Sequence, residues 1–418
     1  MNILFVHEVD WLKKVVLEFH NLSEALSLLN HRVYAIDYES MWQRNGYAGP
    51  GSLKTKEING VSRAIPGASV TLRRPGFIRI PGLSRLSAGI THYREIQRTI
   101  KEKGIDVIVL YSVPTNGLQT IHLARKFGIP VVFRSIDILH RLVPNTTLRP
   151  LTRTLERKVY SQADLILPNT PRYLQYVLGM GSIESRVKLV LMPIDTGIFH
   201  PSIDCSEIRR KWGLGEKDRV ILFIGTLFRF SGLDGFIRSF PRVIENSPDV
   251  RLMIVGDGPQ RPDLEKIITG LGLEGRVIIT GFQPYPTMPQ FINLADVCIN
   301  TFLNTDATRD IFPGKIVQYI ACSRPVVATP LPGITTLLPG ESHGVVYADS
   351  SEDMAEEVVG LLKSPGRRQR MGQAGVNYVK QTHEQQKIAR QLEAALEEAV
   401  ERKHRTSLPK ERAIKIGV

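Results

Sequence analysis

The chain has 418 residues, 42% of them hydrophobic and 23% charged, the profile of an ordinary globular protein with length for two or three domains. Its three cysteines, Cys205, Cys298 and Cys322, are too few and too scattered for a disulfide framework, and the lack of a CxxC pair argues against a structural zinc site. The formal charge is +13, and residues 1–195 hold 26 Lys and Arg against 15 Asp and Glu, so nearly all the excess lies in the N-terminal half and suits an anionic partner.

Residues 1–8 have an apolar run but no basic leader and no long apolar core, so they predict a first strand rather than a signal peptide. No run of 18 uncharged apolar residues follows anywhere. The expectation is a cytoplasmic protein, at most peripheral on the inner face of a membrane. A helical pattern ends near Leu29, and Asn30 suits the left-handed conformation of a helix end. Short apolar runs at 33–36, 106–110, 130–134 and 165–168 lack polar alternation, as strands buried on both faces do. Strand–helix alternation predicts a parallel α/β sheet. The pattern restarts after residue 200, with strands expected at 220–224, 251–255, 276–280, 297–301, 325–328 and 344–347. Two doubly wound domains follow, 1–195 and 196–390, with the boundary near 192–201. Residues 354–401 read as two or three helices. Residues 391–418 form the C-terminal helix end and a basic, frayed tail.

Residues 63–103 carry nine basic side chains against Glu95 and Glu102, interleaved with Pro75, Phe77, Ile78, Ile80, Pro81, Leu83 and Leu86. The segment reads either as a surface for anionic lipid headgroups or as a solvated basic loop with a helix behind it. Nucleic acid is not expected, because no binding module is visible and the aromatics there are Phe77 and Tyr93 alone.

Three loops of the C-terminal half suggest a phosphate and nucleotide pocket. The first, from Gly225 through Thr226, Arg229 and Ser231 to Gly232, leads into a helix expected near Leu233. Glycines there let backbone approach a pyrophosphate, the helix start offers N–H groups, and Arg229 offers a bidentate charge. The second is Gly256-Asp257-Gly258-Pro259, a tight turn at the carboxyl edge of a sheet, where ligands of open α/β sheets bind. The third runs from Thr308 through Asp310, Phe312, Pro313, Gly314 and Lys315 to Gln318. Pro313 suits the first turn of a helix, which puts Lys315 at a helix start. The macrodipole disfavours a cation there, and an anionic ligand is one reason to keep it.

In their order, these loops and the segment Ile194-Asp195-Thr-Gly-Ile-Phe-His-Pro201 resemble glycosyltransferase family 4, the group 1 retaining glycosyltransferases of GT-B fold. The resemblance covers roughly residues 1–390 and is specific over 192–340. It implies two Rossmann-like, doubly wound α/β domains facing each other across a cleft. It also implies a nucleotide-sugar donor, UDP- or GDP-linked, a glycan or lipid-linked acceptor, and neither a metal nor another cofactor. The family carries two acidic residues eight apart for the donor sugar and the ribose, and here they fall on Asp310 and Gln318. The family's Arg and Lys of the first loop fall on Thr226 and Ser231, so Arg229 and Lys315 are the nearby cations that could replace them. Gly225, Gly232, Gly256, Asp257, Gly258, Phe282, Phe312, Pro313 and Gly314 complete the expected donor contacts.

On the acceptor side, the resemblance puts a polar residue after the strand 130–134, with Asp137 the first choice and His140 the second. His7 and Glu8 fall in the family's acceptor loop, where its paired glycines are replaced, and Trp11 and Lys13 are further acceptor candidates. A dinucleotide-dependent oxidoreductase would need a glycine fingerprint after the first strand, and His7-Glu-Val-Asp-Trp11 has none. A nucleotide-sugar epimerase on the same fold and a non-catalytic nucleotide-sugar-binding or membrane scaffold are the other rivals, the second prompted by the missing loop charges.

Overall fold

The computed structural model describes residues 1–39, 50–143 and 145–407, without the side chains of Thr406 and Ser407. The tail beyond Ser407, expected to fray, lies outside the described residues. The chain divides into two units. One comprises Met1–Asn169, Tyr173–Val190 and the chain from Ala389; the other comprises Thr170–Arg172 and Leu191–Ile388.

The first unit contains β1 (Asn2–Val6), α1 (Glu18–Leu28), β2 (Arg32–Ile36), β3 (Lys56–Val61), β4 (Val70–Arg74), α2 (Leu83–Lys103), β5 (Val107–Leu110), α3 (Gly117–Phe127), β6 (Val131–Ser135), α4 (Arg149–Gln162), β7 (Leu165–Pro168) and α5 (Pro171–Gly179). Its seven strands lie in the order β3-β4-β2-β1-β5-β6-β7. All pairs are parallel except β3 with β4. The central strands are buried on both faces, as in a sheet covered by helices on both sides. Asn30, between α1 and β2, adopts φ +63°, the left-handed turn expected of it. β3, just ahead of the basic stretch, and β4, within it, are strands the sequence does not signal. β3 is mostly exposed and carries charge, and β4 is mostly buried but ends in Arg73 and Arg74, so neither offers an apolar run.

The second unit contains α6 (Ser206–Lys211), β8 (Arg219–Ile224), α7 (Leu233–Asn246), β9 (Val250–Val255), α8 (Arg261–Gly270), β10 (Val277–Gly281), α9 (Met288–Leu294), β11 (Val297–Asn300), α10 (Gly314–Ala321), β12 (Val326–Ala328), α11 (Pro332–Thr335), β13 (Val345–Tyr347), α12 (Ser351–Lys363) and α13 (Pro365–Thr382). Its six parallel strands run β10-β9-β8-β11-β12-β13. Alternate residues of β8 face opposite ways. Val220 and Leu222 pack with α9 and α10, and Ile221 and Phe223 pack with α7 and α12. Strand order reverses between β8 and β11, which creates the crevice where open α/β sheets bind ligands.

α14 (Gln385–Ser407) starts in the second unit and, from Ala389, belongs to the first. Its Glu393 sits 2.7 Å from His31, its Lys403 sits 2.9 Å from Asp164, and its Glu398 pairs with Lys188. Residues 389–407 are thus part of the first unit rather than an appendage at the end of the chain. No helix among the described residues is long and apolar enough to cross a membrane.

Within the first unit one buried cation ties several elements together. Arg134, on β6, is 1% exposed. It donates to Glu18 at 2.6 Å and to the carbonyls of Leu167, Pro168 and Val190. Removing one partner of a buried pair strands the other charge and costs about 3–5 kcal/mol. Arg134→Met should therefore destabilise the protein by about that amount, read as a lowered urea midpoint, because the Glu18 carboxylate stays buried without its counter-ion.

Candidate functional site

The three expected loops meet at the carboxyl edge of the second sheet. The first follows β8 and the third follows β11, so they flank the reversal of strand order. The second follows β9 and is laced to the first. The Leu227 amide donates to the Asp257 carbonyl at 3.1 Å, and the Gln260 amide to the Leu227 carbonyl at 3.0 Å. A Cβ on Gly256 would lie 1.9 Å from the Gly225 oxygen, and one on Gly258 would lie 2.5 Å from the Leu227 oxygen. These glycines are needed first for two loops to touch, whatever they do for a ligand. Gly232 likewise has no room for a Cβ, which would meet the Thr301 oxygen at 2.1 Å.

Several other donor candidates serve the fold directly. Ser231 is buried, its hydroxyl donates to the Thr226 carbonyl, and its own carbonyl accepts from the Thr301 hydroxyl, so no group is left to offer a ligand in place of the family's cation. Phe312 is buried and stacks on His383 at 5.9 Å with the rings 1° from parallel, which removes it from the donor contacts. Pro313 is the N-cap of α10 rather than its first residue. Gly314 makes room for Met192, whose Cε would sit 2.1 Å from a Cβ there. The Met192 carbonyl lies 2.8 Å from His383 Nδ1. Met192, His383, Phe312 and Gly314 thus form one packed knot that pins the start of α10. Burial lowers the His383 imidazole to about 4 and so keeps this knot neutral. Asp257 faces solvent and pairs with Arg261 at 3.1 Å. Asp310 accepts from Arg172 at 3.0 Å.

Lys315 is what this knot positions. It extends from α10, on one side of the sheet, to Phe223, whose ring belongs to the core on the other side. Its side chain therefore passes over the end of β8, beside the crevice. Its Nζ lies 3.8 Å from the centre of the Phe223 ring and 4.2 Å from that of Phe302. A Cβ on Gly225 would come within 3.3 Å of it. The nitrogen is buried and, among the described residues, has no hydrogen-bond partner. Burial drives its pKa well below the ordinary lysine value. Phe223 and Phe302, which the sequence reading missed, look like plain core residues without a strand assignment in three dimensions.

The other expected donor residues on these loops are exposed or half-exposed. Arg229 is exposed in the 3-10 turn Arg229–Ser231, and among the described residues it forms no ion pair. Thr226 is exposed, Gln318 is half-buried one turn along α10, and the Phe282 ring is 65% exposed. A lysine beside the bare backbone of Gly225 and a helix start suits a diphosphate, and a solvent-facing ring such as Phe282 suits a planar base.

In the first unit the expected residues divide. Burial raises the Asp137 carboxyl to about 6, with the nearby Glu18 carboxylate adding to the shift. His140 places Nδ1 2.8 Å from the buried Glu156, which also accepts from the Tyr176 hydroxyl at 2.9 Å. His7 is packed between Phe19 and Tyr111, and burial, with His20 second, holds it neutral at about 3. Glu8 accepts the amides of Thr115 and Asn116 ahead of α3 and pairs with Arg85. Trp11 is fully buried against Phe19 and His20, so it is a core residue and no acceptor contact. Lys13 is exposed and lines a cavity of about 430 Å³ with Arg74, Phe77 and Arg79.

Comparison with known proteins agrees with this geometry. The glycosyl transferases group 1 family matches residues 218–364, and the glycosyl transferase 4-like domain matches residues 18–194. Over 169 residues the chain is 30% identical to an alpha-D-kanosaminyltransferase of Streptomyces kanamyceticus, covering 40% of this chain and 42% of that protein. Over 259 residues it is 30% identical to the GDP-mannose-dependent alpha-(1-6)-phosphatidylinositol monomannoside mannosyltransferase of Mycolicibacterium smegmatis, covering 60% and 66%. The matched stretches thus span between about two fifths and two thirds of these relatives. Anabaena HepE in complex with UDP superposes with a TM-score of 0.70 at 18% identity, covering 95% of this chain and 100% of that one. The sucrose-phosphate synthase of Thermosynechococcus elongatus gives 0.75 at 16% identity, covering 95% and 99%. With both halves matched by the family's two domains and a GT-B fold throughout, the chain belongs to the group 1 glycosyltransferases, family 4.

Proposed function

We propose that this protein transfers a glycosyl group from a nucleoside diphosphate sugar, UDP- or GDP-linked, to a hydroxyl of a glycan or lipid-linked acceptor, with retention at the anomeric carbon. The observation that carries the reading is the Lys315 ammonium, buried beside Gly225 with two aromatic faces and no hydrogen-bonding partner among the described residues. Charging a lysine so placed calls for an anion beside it, and a diphosphate at the start of α10 supplies one.

In this reaction the bond from the anomeric carbon to the β-phosphate oxygen breaks, and the bonding pair leaves with the nucleoside diphosphate. The acceptor oxygen forms the new bond and gives up its proton. Negative charge grows on the departing phosphate, and Lys315, Arg229 and the first N–H groups of α10 are the groups assigned to stabilise it. Stabilisation of this preorganised kind is usually the largest catalytic contribution. Asp310 and Gln318 are assigned to the sugar and ribose hydroxyls. The exposed Phe282 ring is assigned to the base. On the acceptor side Asp137 and His140 are the polar groups proposed to face the sugar, with Glu156 fixing the His140 ring. Retention and the absence of a metal requirement rest on the family. A cytoplasmic protein peripheral to an anionic membrane fits the basic first unit and a lipid-linked acceptor.

A panel of UDP-, GDP- and ADP-sugars scored by thermal shift should identify the donor, and failure of every sugar nucleotide to stabilise the protein would sink the reading. With the donor in hand, Lys315→Met should weaken its binding by about 2–5 kcal/mol, because the phosphate loses a desolvated charge partner. Affinity should also depend on pH. Burial holds the empty-site Lys315 pKa below the ordinary lysine value, and an adjacent diphosphate restores it, so binding takes up a proton. Affinity therefore rises as pH falls between those two values. Lys315→Arg, always charged, should abolish this slope while retaining binding, as calorimetry in buffers of different ionisation enthalpy would register.

A further inference from the structure

Seven of the sixteen large apolar side chains exposed among the described residues lie in two short stretches of the first unit: Ile80, Leu83, Leu86 and Ile90, and Leu142, Leu148 and Leu151. On α2, Leu83, Leu86 and Ile90 are 47%, 69% and 57% exposed at spacing i, i+3, i+7, which aligns them on one side of the helix. Arg94 and Lys101 continue that line toward the end of α2. The pattern repeats at α4, where Leu148 and Leu151 stand exposed at its first turn and Lys158 follows. An amphipathic surface helix normally points such a stripe inward; here the inward side is already made of Ile96, Ile100, Val159 and Tyr160.

α2, α3 and α4 join successive strands from β4 to β7 in one direction, so right-handed crossovers set them side by side on one face of the sheet. Each starts at the carboxyl edge, and the apolar turns of α2 and α4 therefore share one end of the unit. The three helices carry eleven Lys and Arg against three Glu, and two of those, Glu95 and Glu156, are buried. This surface keeps only the α2 half of the basic segment at 63–103. Arg73 and Arg74 there are buried in ion pairs with Glu57, Glu95, Asp10 and Asp37, Arg79 pairs with Glu39, and Phe77 is in the core.

We propose that the α2–α3–α4 face of the first unit lies on an anionic lipid bilayer, with Leu83, Leu86 and Ile90 of α2 and Leu148 and Leu151 of α4 in the headgroup–acyl boundary and the basic residues behind them on lipid phosphates. Apolar side chains flanked by cations on a helix lying in the interface have the pattern of membrane-surface helices. A second copy of this chain is a poor occupant, because it would bring eleven more cations against the first set. The proposal rests on the membrane reading above and assigns it to particular side chains.

Full-length protein is sedimented with phosphatidylcholine vesicles, with and without phosphatidylglycerol. Binding is expected only with the anionic lipid and should weaken steeply with salt. The triple variant Leu83→Ser, Leu86→Ser and Ile90→Ser should bind at least ~10-fold more weakly, while Arg94→Glu with Lys101→Glu should remove most of the salt dependence. Leu148→Ser with Leu151→Ser should give a smaller loss of the same kind. Thermal unfolding of each variant, expected unchanged for these exposed positions, separates lost docking from lost folding. If the wild-type protein ignores every vesicle, the membrane reading and this assignment fail together. If it binds and the triple variant binds equally, only the assignment fails. If the variants change the oligomeric state by light scattering but not vesicle binding, the face belongs to a second copy and the proposal is overturned.

Discussion

A lysine side chain held away from water, with no hydrogen-bond partner among the described residues, is the constraint around which the second unit is arranged. The Lys315 nitrogen lies against two aromatic faces, and charging it there is costly unless something anionic arrives. Its position is set by a chain of unremarkable contacts. Met192 fills the space that Gly314 leaves, His383 holds the Met192 carbonyl, and Phe312 stacks on His383. None of these residues needs to touch a ligand, yet together they determine where the cation of α10 lies. The interior packing of the unit and its chemistry are thus one problem, solved by the same side chains.

The family carries its cations in the loop after β8, and here Thr226 and Ser231 occupy those positions. The structure explains why Ser231 does not replace the missing charge: its hydroxyl and carbonyl are spent on neighbouring backbone and Thr301. Under the proposed function the charge comes instead from Lys315 of α10, across the end of β8, and from Arg229 in the exposed turn. In that reading the phosphate pocket keeps its place at the reversal of strand order while the elements that supply its cations change, because the field at a point depends on where charge sits and not on which segment carries it.

The parallel strands were legible because each is a short apolar run bounded by Gly, Pro or polar residues. β3 was not, because an exposed, charged edge strand offers no such run, and β4 was not, because its buried residues include Arg73 and Arg74, held in ion pairs. The three loops were legible as ligand-side loops from their glycines. The same glycines, at 256 and 258, prove to be where two loops touch, a distinction that needs coordinates on both sides of the contact. Lys315 stood out because a lysine at a helix start opposes the macrodipole, whereas its partners Phe223 and Phe302 carried no signal, since nothing local separates a ring in a core from a ring over an ammonium. Trp11 was read as an acceptor contact and is buried, because loop position alone says nothing about burial. The arginines of 63–103 show the same limit for charge: a count cannot tell Arg74, locked to Asp37, from Arg94, facing solvent.

α14 has a further consequence, in the order of synthesis. Its residues from Ala389 complete the first unit, pairing with His31, Asp164 and Lys188, which leave the ribosome hundreds of residues earlier. The second unit, from Leu191 to Ile388, is contiguous but for the three residues Thr170–Arg172, and it is translated whole before the part of α14 from Ala389 emerges. The half made first is therefore the half finished last. During the interval the surface that α14 will cover, including Val16, Ala25, Ala64 and Ile65 around the place of Ala389, is open to water and to other nascent chains.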